Sequence, residues 1–381
     1  MSRVNACWPT MLVAGLIAST EVRAGEDGEL RFNRVEGIYL GARKDLAYPD
    51  ATGRGSASYG HLGYAFGARQ WQYQVGIEEF FRRGSPRSRE SLGVELHDRI
   101  ESQDTWLLTP EENSVYAALF RRDYFDYYQR RGWSVYSRYD HDGQVRVTGR
   151  WSRDELSSLE SRSNWSPVDW HLGRWHPLRT RLARDTFNDN PAADEGRAYS
   201  LRLDIQAKGP EFPWWSGRKW RVDGMVEHGG GRLGGDFAFR RFLLDARRYL
   251  RHGGNDLDLR LRLGRGSGEL PRQYLYHLGG FATLRGYPHK AFSGDRMVLL
   301  NVEYWHDDVG VLLDTGAAWY SPEGARRALE REDPGPEEEA RFRRSLGFAV
   351  RLDEDFRVGM ARPLDGPRRG WRYFARFSRA F

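Results

Sequence analysis

Apolar and polar residues alternate through most of this chain. Tyr199-Ser-Leu-Arg-Leu-Asp-Ile-Gln206 sets Tyr199, Leu201, Leu203 and Ile205 on one side and Arg202 and Asp204 on the other. Asp256 to Leu263 is cleaner still, with Leu257, Leu259, Leu261 and Leu263 facing one way and Asp256, Asp258, Arg260 and Arg262 the other. Trp220–Val226 and Val145–Trp151 repeat the scheme. A period of two is that of strands with one apolar face. Fifteen such segments can be counted, the first at 34–42, the last at 370–381, and five of them after a Gly-rich loop around 279–286. An all-β chain follows. The longest interruptions are 101–131 and 154–197. The first holds Thr109-Pro110-Glu111-Glu112, a capping box with Pro at the first helical position, which predicts a surface helix to about Phe120. The second carries Trp165, Trp170 and Trp175, read as an aromatic girdle or packed loop, with an external ligand site as the alternative. Arg331–Arg344 reads as a solvated mixed-charge loop.

Periodicity alone does not separate a soluble sandwich from a membrane barrel, and the chain start changes the picture. Arg3, the apolar run Met11–Ala18 and Val22-Arg23-Ala24 read as a secretory signal peptide over 1–24, because the run is too short to span a bilayer. The single cysteine, Cys7, falls inside it, so no disulfide or thiol chemistry is expected afterwards. Only Gly25 to about Asn33 would then precede the first strand, too little for a folded domain. No later apolar run is long enough for a transmembrane helix. A mean hydropathy of −0.73 with 14% aromatic residues and 43 Gly suits strands that bury alternate residues in lipid. Such single-chain barrels have an even strand number, so one strand is missed or overcounted, with 101–131 and 154–197 as the expected places. The net charge of +6 comes from dispersed Arg rather than a basic tract, so no nucleic-acid partner is expected.

The segments Arg296–Trp305 and Val309–Trp319 form a hairpin. Val298, Leu300, Val302 and Tyr304 share one face, opposite Asn301 and Glu303. On the second segment Val311, Leu313, Thr315 and Ala317 oppose Asp314 and Gly316. A turn about Asp308-Val309 would pair Glu303 with Asp314 and Asn301 with Gly316. Two carboxylates facing each other repel. A guanidinium can bond both, and Arg285 is the charged residue of the preceding Leu284-Arg285-Gly286-Tyr287. The loop 267–294 is therefore expected to fold back and set Arg285 on the polar face of the hairpin that follows it.

Leu-Arg-Gly-Tyr after Leu278-Gly279-Gly280, then Gly294-Asp295-Arg296, Asn301-x-Glu303-Tyr304 and Leu313-Asp314-x-Gly316, resembles the C-terminal barrel signature of the BamA/TamA outer-membrane assembly family and bacterial surface antigens. The resemblance implies a transmembrane antiparallel barrel of sixteen strands with an inward plug loop. It implies that Arg285 pairs with Glu303 and Asp314 in the lumen, supported by Gly279, Gly280, Gly294, Asn301 and Gly316. Tyr373, Phe377 and Phe381 on a final aromatic strand resemble the outer-membrane insertion signal. The same resemblance implies outer-membrane lipid and lipopolysaccharide as surroundings, a seam between the first and last strands, 34–42 and 370–381, and a role in inserting or translocating proteins or lipids. Family members carry periplasmic client-binding (POTRA) domains before the barrel. The expectation here is a barrel over 34–381 without them, and a separate periplasmic module as partner. A passive channel and a surface-interaction barrel are the alternatives.

Candidate chemistry is sparse. His171 and His176 do not have a metal-ligand spacing, so no metal or other cofactor is expected. Ser267, between two glycines, reads as turn chemistry. Glu303 and Asp314 could in principle act as a glycosidase-like pair, but an arginine between them would keep both ionised. No enzyme activity is expected.

Overall fold

The computed structural model describes residues 28–47, 55–81, 87–167, 186–209, 219–333, 335–353, 356–366 and 370–377. The expected signal peptide, Cys7, Trp170, His171, Trp175, His176 and Phe381 lie outside them.

Sixteen strands form one antiparallel sheet in which each follows its neighbour in sequence. They are β1 (Gly28–Asn33), β2 (Gly37–Ala47), β3 (Gly55–Ala65), β4 (Gln70–Phe81), β5 (Ser88–Glu101), β6 (Tyr128–His141), β7 (Val145–Ser158), β8 (Gly196–Lys208), β9 (Lys219–Gly229), β10 (Phe239–His252) and β11 (Asn255–Gly268). After the plug loop come β14 (Arg296–His306), β15 (Val309–Trp319), β16 (Arg343–Arg351), β17 (Arg357–Pro363) and β18 (Arg372–Arg376). Two short strands inside the loop, β12 (Tyr276–Leu278) and β13 (Phe292–Gly294), pair separately. Helices α1 (Pro110–Phe120) and α2 (Pro322–Glu330) lie in the connections. Because neighbouring strands reverse direction, the long connections after β5, β7, β11 and β15 share one end of the sheet. The two-residue turns after β10 and β14 share the other.

The two faces settle which kind of β-protein this is. Leu62, Ile77, Leu96, Leu201, Val226, Tyr304 and Leu313 are exposed on the outside. Arg241, Asp245, Asp258, Arg260, Glu303 and Asp314 are buried on the inside. A soluble sandwich has the opposite arrangement, so the alternation seen in the sequence is that of a lipid-facing wall around a polar lumen. Several lumenal aromatic rings lie over glycines of the neighbouring strand. Tyr136, 2% exposed, covers Gly93, where a Cβ would stand 2.4 Å from its ring.

Two expectations are corrected. The uncounted strand is β1, inside what reads as a lead at 25–33, so among the described residues the first strand is Gly28–Asn33 and not 34–42. Only Leu30 alternates clearly outward there, too few positions for a period to show. The interruptions 101–131 and 154–197 contribute extensions of β6 and β7, and no further strand among the described residues. Ser267 belongs to β11, where it pairs with Arg240, and is not in a turn. The 331–344 loop is exposed over most of its length, as expected, and ion pairs tie it back: Arg331 bonds Asp194 at 2.7 Å, Arg272 bonds Asp333 at 3.1 Å and Arg343 bonds Glu337 at 2.9 Å.

Helix α1 forms where the capping box predicts it, with Thr109 Oγ1 accepting from the Glu112 amide at 3.2 Å. It is not a surface helix. Among the described residues β1 and β18, the ends of the strand order, do not pair with each other, and α1 bridges them. Ser114 Oγ accepts from the Phe32 amide at 3.1 Å. Glu112 Oε1 accepts from Arg376 Nε at 2.9 Å and from the Phe377 amide at 3.0 Å. The Tyr116 hydroxyl donates to the Ala375 carbonyl. Among the described residues the first and last strands, expected at 34–42 and 370–381, are thus Gly28–Asn33 and Arg372–Arg376, joined through helix side chains instead of a ladder.

Gly93→Val is expected to displace the buried Tyr136 ring, together with its hydroxyl bond to Glu78, and to destabilise the barrel by about 1–3 kcal/mol. Urea unfolding in detergent micelles, compared with the parent chain, measures it.

Candidate functional site

The loop between β11 and β14 enters the lumen through backbone shape first. Gly279 and Gly280 have φ of +113° and +97°, which side-chain-bearing residues rarely adopt. They are followed by a tight turn in which Thr283 Oγ1 accepts from the Gly279 amide at 2.8 Å. A Cβ on Gly286 would lie 2.4 Å from the Arg362 carbonyl carbon, so the loop backbone rests directly against β17. A Cβ on Gly294 would meet the Trp319 carbonyl oxygen at 2.1 Å, and one on Gly316 the Val298 oxygen at 2.7 Å. Leu278, Leu284, Tyr287, Met297 and Leu299 pack together behind the turn. Full burial of a leucine is worth on the order of 1.5–3 kcal/mol, which holds the loop against the wall.

Arg285 projects from this turn and is 2% exposed. Its backbone amide donates to Asp314 Oδ2 at 3.0 Å, and its Nη2 bonds Glu303 Oε1. Nη1 stands 3.3 Å from Asp314 Oδ1, close enough for an ion pair but misaligned for a hydrogen bond. Glu303 also accepts from Arg357 Nη1 at 2.7 Å and from the Trp305 indole at 3.1 Å. Asp314 also accepts from Asn301 Nδ2 and Ser345 Oγ, both at 2.7 Å. Asn301 ties the cluster back to the loop by donating to the Thr283 carbonyl at 2.8 Å.

The route to this arrangement differs from the expected one. The hairpin turns about Asp307-Asp308, with Asp307 at φ +49°, so Glu303 pairs with Leu312, Asn301 with Asp314 and Leu299 with Gly316. Aspartate tolerates a left-handed turn position far better than β-branched Val309, which begins β15 instead. Glu303 and Asp314 are therefore diagonal neighbours on the lumenal face, not directly opposed. Arg357 and Trp305 complete the cluster and are not singled out by the sequence pattern. Their signal is faint: a lumen-facing Arg near the start of the next-to-last strand, and a Trp two residues after the glutamate.

The loop has two further anchors. Lys290 bonds Asp104 and Asp126, each at 2.5 Å, and His289 Nε2 donates to the Tyr124 carbonyl at 3.0 Å. Phe281 stacks on Tyr116 of α1 at 5.6 Å and meets Tyr124 edge-on at 4.6 Å. The plug loop and the helix that bridges β1 and β18 are therefore in direct contact. On the last strand Tyr373 faces outward, 66% exposed, while Phe377 packs with Phe356 at 5.1 Å and Tyr116 at 6.3 Å.

The structure is similar to BamA from Haemophilus ducreyi lacking POTRA domains 1–3, with a TM-score of 0.52 and 11% identity over 92% of this chain and 70% of that one. The fold is that of an outer-membrane β-barrel. CdiB from Acinetobacter baumannii gives a TM-score of 0.40 at 10% identity, over 92% of this chain and 58% of that one. CdiB from Escherichia coli gives 0.43 at 11%, over 92% and 61%. This chain thus spans about three fifths of each CdiB chain. No protein-family model and no curated relative matches the sequence.

Single substitutions Arg285→Ala, Glu303→Gln and Asp314→Asn are each expected to destabilise the barrel, by about 3–5 kcal/mol for Arg285→Ala, which leaves two buried carboxylates short of a partner. Combined, they should fall short of the sum by about 0.5–3 kcal/mol. Double-mutant unfolding cycles decide this, and additive losses would remove the cluster as a unit. Burial, and next the Lys290 charge, push the His289 imidazole down to about 3. Its folded value lies below the unfolded value of about 6.5, so its contribution is full above pH 6.5 and is lost as pH falls toward 3. Thermal midpoints measured from pH 7 to pH 4 should fall, and His289→Gln should flatten part of that fall.

Proposed function

We propose that this barrel belongs to the BamA/TamA type and assists insertion or translocation of proteins or lipids at the outer membrane, reached by export with a cleaved signal peptide. The observation that carries the reading is the junction between β1 and β18. A strand edge without a ladder partner presents free backbone donors and acceptors, which ordinary barrels abolish by closure. Here the edge groups of Phe32, Ala375 and Phe377 are bonded to side chains of α1. Withdrawing one helix breaks those bonds without unzipping a ladder, so the seam can open at lower cost than any other strand pair. Phe281 of the plug loop touches the same helix, so loop position and seam position are mechanically linked. The BamA-like fold and the buried Arg285, Glu303 and Asp314 support this reading, in which the cluster anchors the plug and stabilises the wall.

A second reading, a passive channel for small solutes, draws on a lumenal cavity of about 1010 Å³. Two measurements separate them. Depleting the protein should lower the abundance of other outer-membrane barrels or of an exported client, and normal levels of all of them would sink the assembly role. In planar bilayers the assembly reading expects little steady current. Large steady currents that rise with Arg285→Ala would favour the channel.

A further inference from the structure

The lumenal face of β8 to β11 carries ion pairs made along single strands. Arg202 bonds Asp204 at 2.7 Å, and Arg221 bonds Asp223 at 2.7 Å. This one-to-one matching stops at Asp245. Its carboxylate receives Arg247 Nε at 3.1 Å, Arg260 Nε at 3.1 Å and Arg262 Nη1 at 2.6 Å. Three guanidinium groups share one carboxylate, leaving two positive charges over. Arg260, Arg262 and Asp245 are 0%, 4% and 3% exposed. Bulk water therefore screens the excess little, and uncompensated buried charge is costly.

The register sharpens the imbalance. Arg247 lies directly across from Arg221 on one side and from Arg260 on the other, and like charges directly opposite destabilise a sheet. The Trp106 ring covers Arg262 at 3.7 Å and Arg260 at 5.2 Å, a cation–π contact that offsets part of the charge. It offers no acceptor in the guanidinium plane. Arg260 Nη1 and Arg262 Nε are buried without a hydrogen-bond partner. Buried donors are satisfied in nearly all native structures, so each such group needs an explanation. For Arg262 the cavity of about 1010 Å³ supplies one, because Arg262 lines it together with Trp106, Arg221, Asp245 and Arg247, while Arg260 lies behind them.

We propose that this cluster is an oxyanion site in the lumen, taking a small solute that carries a phosphate or carboxylate group. Arg262 and Arg247 bind it, Arg260 supplies charge from behind, and Arg221 stands at its edge. Guanidinium forks match the oxygens of such groups and bind them two at a time. Asp245 orients the three arginines and limits affinity by competing for them, so removing it and removing Arg262 should act in opposite directions.

The test titrates the purified full chain in detergent with sodium phosphate, and separately with sodium acetate, at constant ionic strength, by calorimetry and thermal unfolding. Saturable binding of either anion is expected, with a rise in the unfolding midpoint, and the pair of titrations shows which oxyanion class is accepted. Arg262→Gln should weaken the Kd at least tenfold. Asp245→Asn should tighten it. Arg197→Gln, in an exposed pair with Asp236, should leave it unchanged. The opposite signs keep a folding defect from imitating the result. Binding of neither anion, an equal response to sodium chloride, or an unchanged Kd in both Arg262→Gln and Asp245→Asn would overturn the site.

Discussion

Charge enclosed by a lipid-facing wall has to find its partner inside that wall, and this requirement orders the rest of the molecule. Lipid takes the outward face of every strand, so the polar half of each alternating segment is turned into the lumen. There, a charge left alone costs more than its burial returns. The protein meets the requirement mainly with arginine, whose planar fork can serve two oxygens at once. Arg241 lies on Glu227, Arg376 on Glu112, and Arg285 between Glu303 and Asp314. Each of the last two pairs also fixes an element that is not part of the ladder, namely the helix and the plug loop. Electrostatic satisfaction and placement of the helix and the loop are thus the same bonds.

Those two elements meet. The plug loop is pinned on the wall by the Arg285 cluster at one end and by Lys290 with Asp104 and Asp126 at the other. Ahead of both anchors in the loop, Phe281 lies on Tyr116 of α1. Helix α1 in turn occupies the place where β1 and β18 would pair. A shift of the loop and a shift of the seam therefore share one aromatic contact. The excess of arginine around Asp245 is a different departure from pairing, located on β10 and β11 and bordering the cavity rather than the seam.

The alternating segments, five strands after the loop and the inward Arg285 were all legible in the residues. Each is encoded locally, by a period of two, by glycines at constrained positions, or by one charged residue in an apolar turn. Strand β1 was not legible, because Gly28–Asn33 is too short for its alternation to register. The register of the β14–β15 hairpin was not either: moving the turn by one residue, to Asp307-Asp308, changes every partner while leaving every face as before. That is why Arg285 still lies between Glu303 and Asp314 although the two are not opposite each other.

The sequence by itself determined the strands, which residues share a face and the identity of the clamp, since these follow from residue type and spacing within a few positions. Only the tertiary structure decided that the helix announced by Thr109-Pro110-Glu111-Glu112 lies buried across the seam, that Arg357 and Trp305 share Glu303, and that three arginines converge on Asp245. Apart from Trp305 with Glu303 and Arg247 with Asp245, which are two residues apart, those contacts join residues from 15 to 265 positions apart. They depend on strand order and register, and neither is written in the period of any single segment.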